Sequence, residues 1–202
     1  MSRLPAALAV AVLVLTGCSA EPQTPPPGEA RIAVDTPQLR ELKAEAGVAD
    51  CEPGDADPVE GGLPAVTLPC LGGGPAVDLS RLRGPMVVNL WQSTCQPCRE
   101  EMPILQRFHE QHGDRVSVLG IDYQDVQAVA AMELVLETGV TYPLLADPQS
   151  TLDGADPFPP LRGMPFLALV DADGTVVHRQ FIALRSERQL LDLVDEHLGI
   201  AL

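Results

Sequence analysis

Apolar and polar positions along the chain fall into short runs with clear breaks. Residues 87–91, 116–122 and 166–170 are nearly continuous apolar stretches, a pattern of buried strands. After the first of these, Met102, Leu105 and Phe108 recur at helical spacing, with Gly113 as a stop signal. Residues 126–136 are also helical in period, closed by Gly139, and 142–146 form a short extended piece. Asp171-Ala172-Asp173-Gly174 is a turn, so 175–181 is expected to return antiparallel to 166–170. Ser186 caps a last helix with Leu190, Leu191, Val194 and Leu198 on its buried side. Upstream, Thr36-Pro37 opens a helix with Leu39, Leu42 and Ala46 on one face, and Gly47 ends it. Residues 63–71 and 76–79, split by Gly72-Gly73-Gly74, read as a β-hairpin. The order hairpin, β, α, β, α, β, β, α describes an α/β domain.

The first 35 residues follow a different pattern. Residues 4–15 are apolar after a single basic residue, Arg3, and are too short for a comfortable membrane span. They read as the core of a secretory signal, ending in Leu15-Thr16-Gly17-Cys18. That quartet resembles the bacterial lipobox, whose cysteine carries lipid after cleavage. The expected organisation is a lipoprotein signal peptide at 1–17 and a Pro-rich tether at 18–35. A helix and loop extension at 36–62 and a domain at 63–202 follow.

Composition narrows the function. The net charge of −15 argues against a nucleic-acid partner. Aromatic residues are only 3%, so the core must be built from Leu, Val, Ile and Ala. His109, His112, His178 and His197 are scattered, and no metal or cofactor is expected.

Chemistry concentrates at Cys95-Gln96-Pro97-Cys98, where a strand hands over to a helix. A helix N-terminus stabilises a thiolate, the reactive form of cysteine. A zinc site needs a second pair or histidines at ligand spacing, and haem attachment needs histidine where Arg99 stands. An inert disulfide is the remaining plain reading. Five cysteines leave one over. With Cys18 lipidated and Cys95–Cys98 a redox pair, Cys51 and Cys70 are free to bridge each other in an oxidising compartment. A loop of that size is worth on the order of 3 kcal/mol. A second, regulatory redox pair is the alternative.

The run Asn89-Leu90-Trp91-Gln92-Ser93-Thr94-Cys95-Gln96-Pro97-Cys98, with Pro103 five residues on, resembles the active site of the thioredoxin superfamily. It is most similar to the extracytoplasmic TlpA/ResA-like thiol-disulfide oxidoreductases, over about residues 63–202. The resemblance implies a thioredoxin-like fold with an N-terminal β-hairpin and a central αβ insertion. It implies Cys95 as the attacking thiol, Cys98 as the resolving thiol and Glu101 as the acid that serves them. Asn89 stands where cytosolic thioredoxins keep an aspartate. Met164, Pro165 and Trp91 are the implied substrate contacts, with Pro165 cis. Two departures are plain: Thr94 replaces the tryptophan usual before the first cysteine, and Pro157, Pro159 and Pro160 forbid the helical stretch usual there. The implied protein is lipid-anchored outside the cytoplasm and exchanges disulfides with protein substrates. Its implied supplier is a membrane partner that transports thiol reducing power, and cytochrome c maturation is one setting. Rivals are a disulfide-forming oxidase and a thiol peroxidase, though Gln92 stands where peroxidases typically place threonine. A copper-chaperone relative would need C-x-x-x-C spacing.

Overall fold

The computed structural model describes residues 32–202. The signal segment, Cys18 and the tether up to residue 31 lie outside the described residues.

Helix α1 (Pro37–Ala46) starts where Thr36 Oγ1 accepts the Leu39 amide at 3.2 Å, and Pro37 occupies the first turn, where no donor is needed. Gly47 ends it at φ 70°, a left-handed conformation that glycine adopts without penalty. The hairpin is shorter than expected: β1 (Thr67–Leu68) pairs with β2 (Val77–Asp78) over two residues only. Past Leu68 the chain changes partner. Pro69 offers a carbonyl to Ala146 N, and Leu71 N donates to Leu144 O at 2.9 Å.

The main sheet contains β3 (Met86–Trp91), β4 (Ser117–Tyr123), β5 (Leu144–Asp147), β6 (Phe166–Val170) and β7 (Val176–Phe181). Its order is β5-β4-β3-β6-β7. The first three strands run parallel, and β6 and β7 are antiparallel. Strand β3 is central and wholly buried, and its side chains alternate between faces. Val87 and Trp91 join a core with α1, α2 (Gln96–His112), α3 (Ala128–Thr138) and α4 (Glu187–Leu198). Met86, Val88 and Leu90 join a second core with the hairpin, Cys51, Cys70 and the 152–161 loop.

That loop is not helical. Asp147 organises its start, accepting from the Thr151 and Leu152 amides and the Thr151 hydroxyl at 2.8–2.9 Å. Phe158 and Leu152 are buried, and Phe158 meets Phe166 edge-on. Cys51 and Cys70 are joined by a disulfide that ties the 36–62 extension to the chain beside β5. Among the described residues no helix is long and apolar enough to cross a membrane.

Candidate active site

Strand β3 ends at Trp91 and α2 begins at Gln96, leaving four residues to turn the chain. Asp125 holds that turn from the end of β4. Its Oδ2 accepts the Ser93 amide at 2.7 Å and its Oδ1 accepts the Gln127 amide at 2.8 Å, at the start of α3. Gln127 itself makes no side-chain cap, so one carboxylate fixes both the active-site turn and a helix N-terminus. Asp125→Ala is expected to cost about 2 kcal/mol, read as a lower denaturation midpoint at unchanged slope.

Cys95 is the N-cap of α2, and its Sγ accepts the Cys98 amide at 3.2 Å. The two cysteines form a disulfide with Cα atoms 5.3 Å apart. Their environments differ. Cys95 is half-buried and next to exposed Thr94, whereas Cys98 is 0% exposed. An incoming thiol or disulfide therefore meets the first sulfur and not the second.

Glu101 lies one turn further along α2, on nearly the same face as Cys98. It is fully buried. Its Oε1 accepts from Asn89 Nδ2 at 2.7 Å and its Oε2 accepts the Leu184 amide at 3.0 Å. Burial pushes this carboxyl up to about 7, against the opposing pull of those two hydrogen bonds. It thus titrates in the range where a group can both hold and release a proton near neutrality. Asn89, at the position noted for its missing aspartate, is the neutral partner of this acid. Asn89 Oδ1 is buried without a partner.

Pro165 is buried behind a cis Met164–Pro165 bond. The adjoining groove, of about 380 Å³, is walled by Pro97 from the C-x-x-C turn, by 162–165 and by 181–183. Its rim carries Phe181, which is 50% exposed and stacks edge-on against Phe166. Met164 and Pro165 therefore sit beside the cysteine turn. Trp91 does not. The expectation that it contacts substrate fails on burial: the indole is 0% exposed and packs in the helical-face core. Gly120 on β4 makes this possible, since a Cβ there would come within 3.3 Å of Trp91 Nε1 and 3.1 Å of the Tyr142 ring.

Three groups were not found from the sequence. Phe181 lay in a strand of ordinary alternation. Asp125 lay in a loop. Asp122 is buried at the end of β4, opposite Trp91, and burial followed by the Asp125 charge pushes its carboxyl well up. A lone carboxylate in an otherwise apolar strand was the available signal. Among the described residues no group of three or more His, Cys, Asp or Glu side chains is placed to hold a metal ion.

A profile of the AhpC/TSA family matches residues 59–179, from the hairpin to β7. The chain belongs to the AhpC/TSA family. The thiol-disulfide oxidoreductase ResA of Bacillus anthracis is 29% identical over 114 residues, which is 55% of this chain and 63% of ResA. The thiol:disulfide interchange protein DsbE of Allochromatium vinosum is 33% identical over 95 residues, 46% of this chain and 49% of DsbE. The chain thus spans less than two thirds of the length of these curated relatives. Among solved structures, a secreted thiol-disulfide isomerase from Corynebacterium glutamicum superposes with a TM-score of 0.59 at 22% identity. The superposition covers 76% of this chain and 97% of that one. A DsbF homologue from Corynebacterium diphtheriae gives 0.58 at 23% identity, covering 74% and 99%. The fold is the thioredoxin-like α/β fold expected from the active-site run. The matched segment of the family contains Cys95, Cys98, Glu101 and Pro165.

Proposed function

We propose that the chain is a thiol-disulfide oxidoreductase of protein substrates outside the cytoplasm, tethered to the membrane through Cys18 and working in the reducing direction. The observation that carries the exchange chemistry is the asymmetry across one disulfide, partly exposed at Cys95 and closed at Cys98. In the reduced protein the Cys95 thiolate attacks a substrate disulfide, forming a mixed disulfide and expelling one substrate thiolate. Cys98 then gives its proton to Glu101 and attacks Cys95 Sγ, releasing the second substrate thiolate. The groove at Met164–Pro165 offers backbone beside the cysteine turn on which an extended substrate segment can lie. A membrane partner that carries thiol reducing power resets the pair. The names of the ResA and DsbE relatives support this class of chemistry. The Cys95–Cys98 reduction potential tests the direction. A value near or below about −270 mV supports a reductant, whereas one near about −120 mV overturns it in favour of a disulfide-forming oxidase.

Anchoring has its own test. Cys18→Ala is expected to move the protein out of the membrane fraction or to leave its signal uncleaved. Unchanged membrane retention with unchanged mature mass removes the lipid anchor from the proposal.

A further inference from the structure

We propose that the Cys51–Cys70 disulfide is a second redox centre, opened by a thiol that attacks Cys51 and releases Cys70 as a thiolate beside Lys43. Each sulfur already faces the partner it needs in the reduced state. Lys43 Nζ lies 3.4 Å from Cys70 Sγ and is held there by donation to the Gly73 carbonyl at 2.9 Å. Lys43 is buried, 6% exposed, while its other partner, Asp50 at 3.2 Å, has a solvent-exposed side chain. An ammonium at that distance in a buried setting stabilises a thiolate and makes it the better leaving group. Cys51 Sγ instead lies 3.2 Å from the Leu144 carbonyl oxygen, which can accept from a thiol but repels a thiolate.

Both cysteines are buried, Cys51 2% and Cys70 1% exposed, but they adjoin different surroundings. A cavity of about 460 Å³ is walled by Cys51, Pro53, Arg81, Arg83, Met86 and Leu119, and Cys70 is not part of its wall. Attack from that cavity falls on Cys51, and it is the attack that expels the stabilised thiolate. The volume suits a low-molecular-weight thiol.

The steps balance. A thiolate RS⁻ bonds to Cys51 Sγ, the Cys51–Cys70 bond breaks, and its electron pair stays on Cys70 opposite the Lys43 ammonium. A second thiol, RSH, attacks the outer sulfur of the mixed disulfide. It releases RSSR and leaves Cys51 as a thiol whose proton came from that RSH. Two thiols are oxidised and one disulfide is reduced.

The test equilibrates the whole protein in a series of reduced and oxidised glutathione buffers, quenches with acid, alkylates, and maps the cysteine peptides by mass. The two disulfides lie on different peptides, so failure here and failure of the Cys95–Cys98 reading are separate results. Cys51–Cys70 is expected to open while native circular dichroism persists, with the glutathione adduct on Cys51. Lys43→Met is expected to shift the equilibrium about tenfold toward the disulfide, which is about 30 mV for this two-electron couple. Lys43→Arg keeps the charge and is expected to stay within about threefold of the parent. If Lys43→Met does not fold, the adduct position in the native protein and the Lys43→Arg equilibrium decide. An adduct on Cys70, no adduct on either cysteine, opening only with loss of the native signal, or a folded Lys43→Met that matches the parent each overturns the proposal in favour of a purely structural staple.

Discussion

Cys98→Ser is expected to hold a substrate protein as a stable mixed disulfide through Cys95, while Cys95→Ser holds none. The reason lies in the two environments. Cys95 caps α2, and its sulfur already accepts a hydrogen bond from the Cys98 amide at 3.2 Å. That donor and the helix N-terminus favour negative charge on this sulfur once the disulfide is reduced. Cys98 is fully buried and cannot meet an external disulfide. Serine at 98 leaves the first attack intact and removes only the thiol that resolves it, so the intermediate accumulates. Serine at 95 removes the attacking group, and turnover in a protein-disulfide reduction assay is expected to fall by about 10³-fold or more. Non-reducing gels and mass mapping of the trapped species read the result. A partner held on Cys98 reverses the two roles. Full activity in both variants removes the oxidoreductase function altogether.

Local signals in the sequence marked the element ends well. Thr36, Pro37 and Gly47 bound α1, and Ser186 caps α4 through the Gln189 amide. These signals are legible because a cap acts within a few residues of the backbone group it satisfies. What depends on distant partners was not legible. The strand expected over 63–71 keeps only Thr67–Leu68, because the following residues bond to β5, which lies more than 70 positions away. Trp91 shows the limit of periodicity: β3 is apolar throughout, so the pattern gives no sign of which end meets solvent. The place of Glu101 after Cys98 could be read along the helix. Its second hydrogen-bond donor, the Leu184 amide, could not, and neither could the contact of Lys43 with Cys70.

Glu101→Gln is expected to raise stability at neutral pH and to slow catalysis, two effects of opposite sign from one substitution. The folded protein binds the Glu101 proton up to about pH 7, against an ordinary value of 4.5 in the unfolded chain. Between those values the folded state holds more protons than the unfolded state, so stability falls as pH rises through that window and levels off above 7. The difference of about 2.5 units corresponds to about 3 kcal/mol lost by neutrality. Glutamine is never charged and so escapes this loss. It also fits the same partners: its carbonyl accepts the Leu184 amide, and its amide donates to Asn89 Oδ1, the oxygen that now lacks a partner, once the Asn89 amide turns over. Denaturation of the parent between pH 4.5 and 8 is expected to show the decline, and that of Glu101→Gln to lack the share due to Glu101. Asp122, also pushed up by burial, declines in both proteins and cancels in the difference. Exchange through Cys95–Cys98 is expected to drop by about 10²-fold at pH 7, because glutamine cannot take the Cys98 proton. A Glu101→Gln variant with unchanged activity and an unchanged stability profile would show that Glu101 ionises in the folded protein as it does in the unfolded chain and is not the proton carrier of the pair.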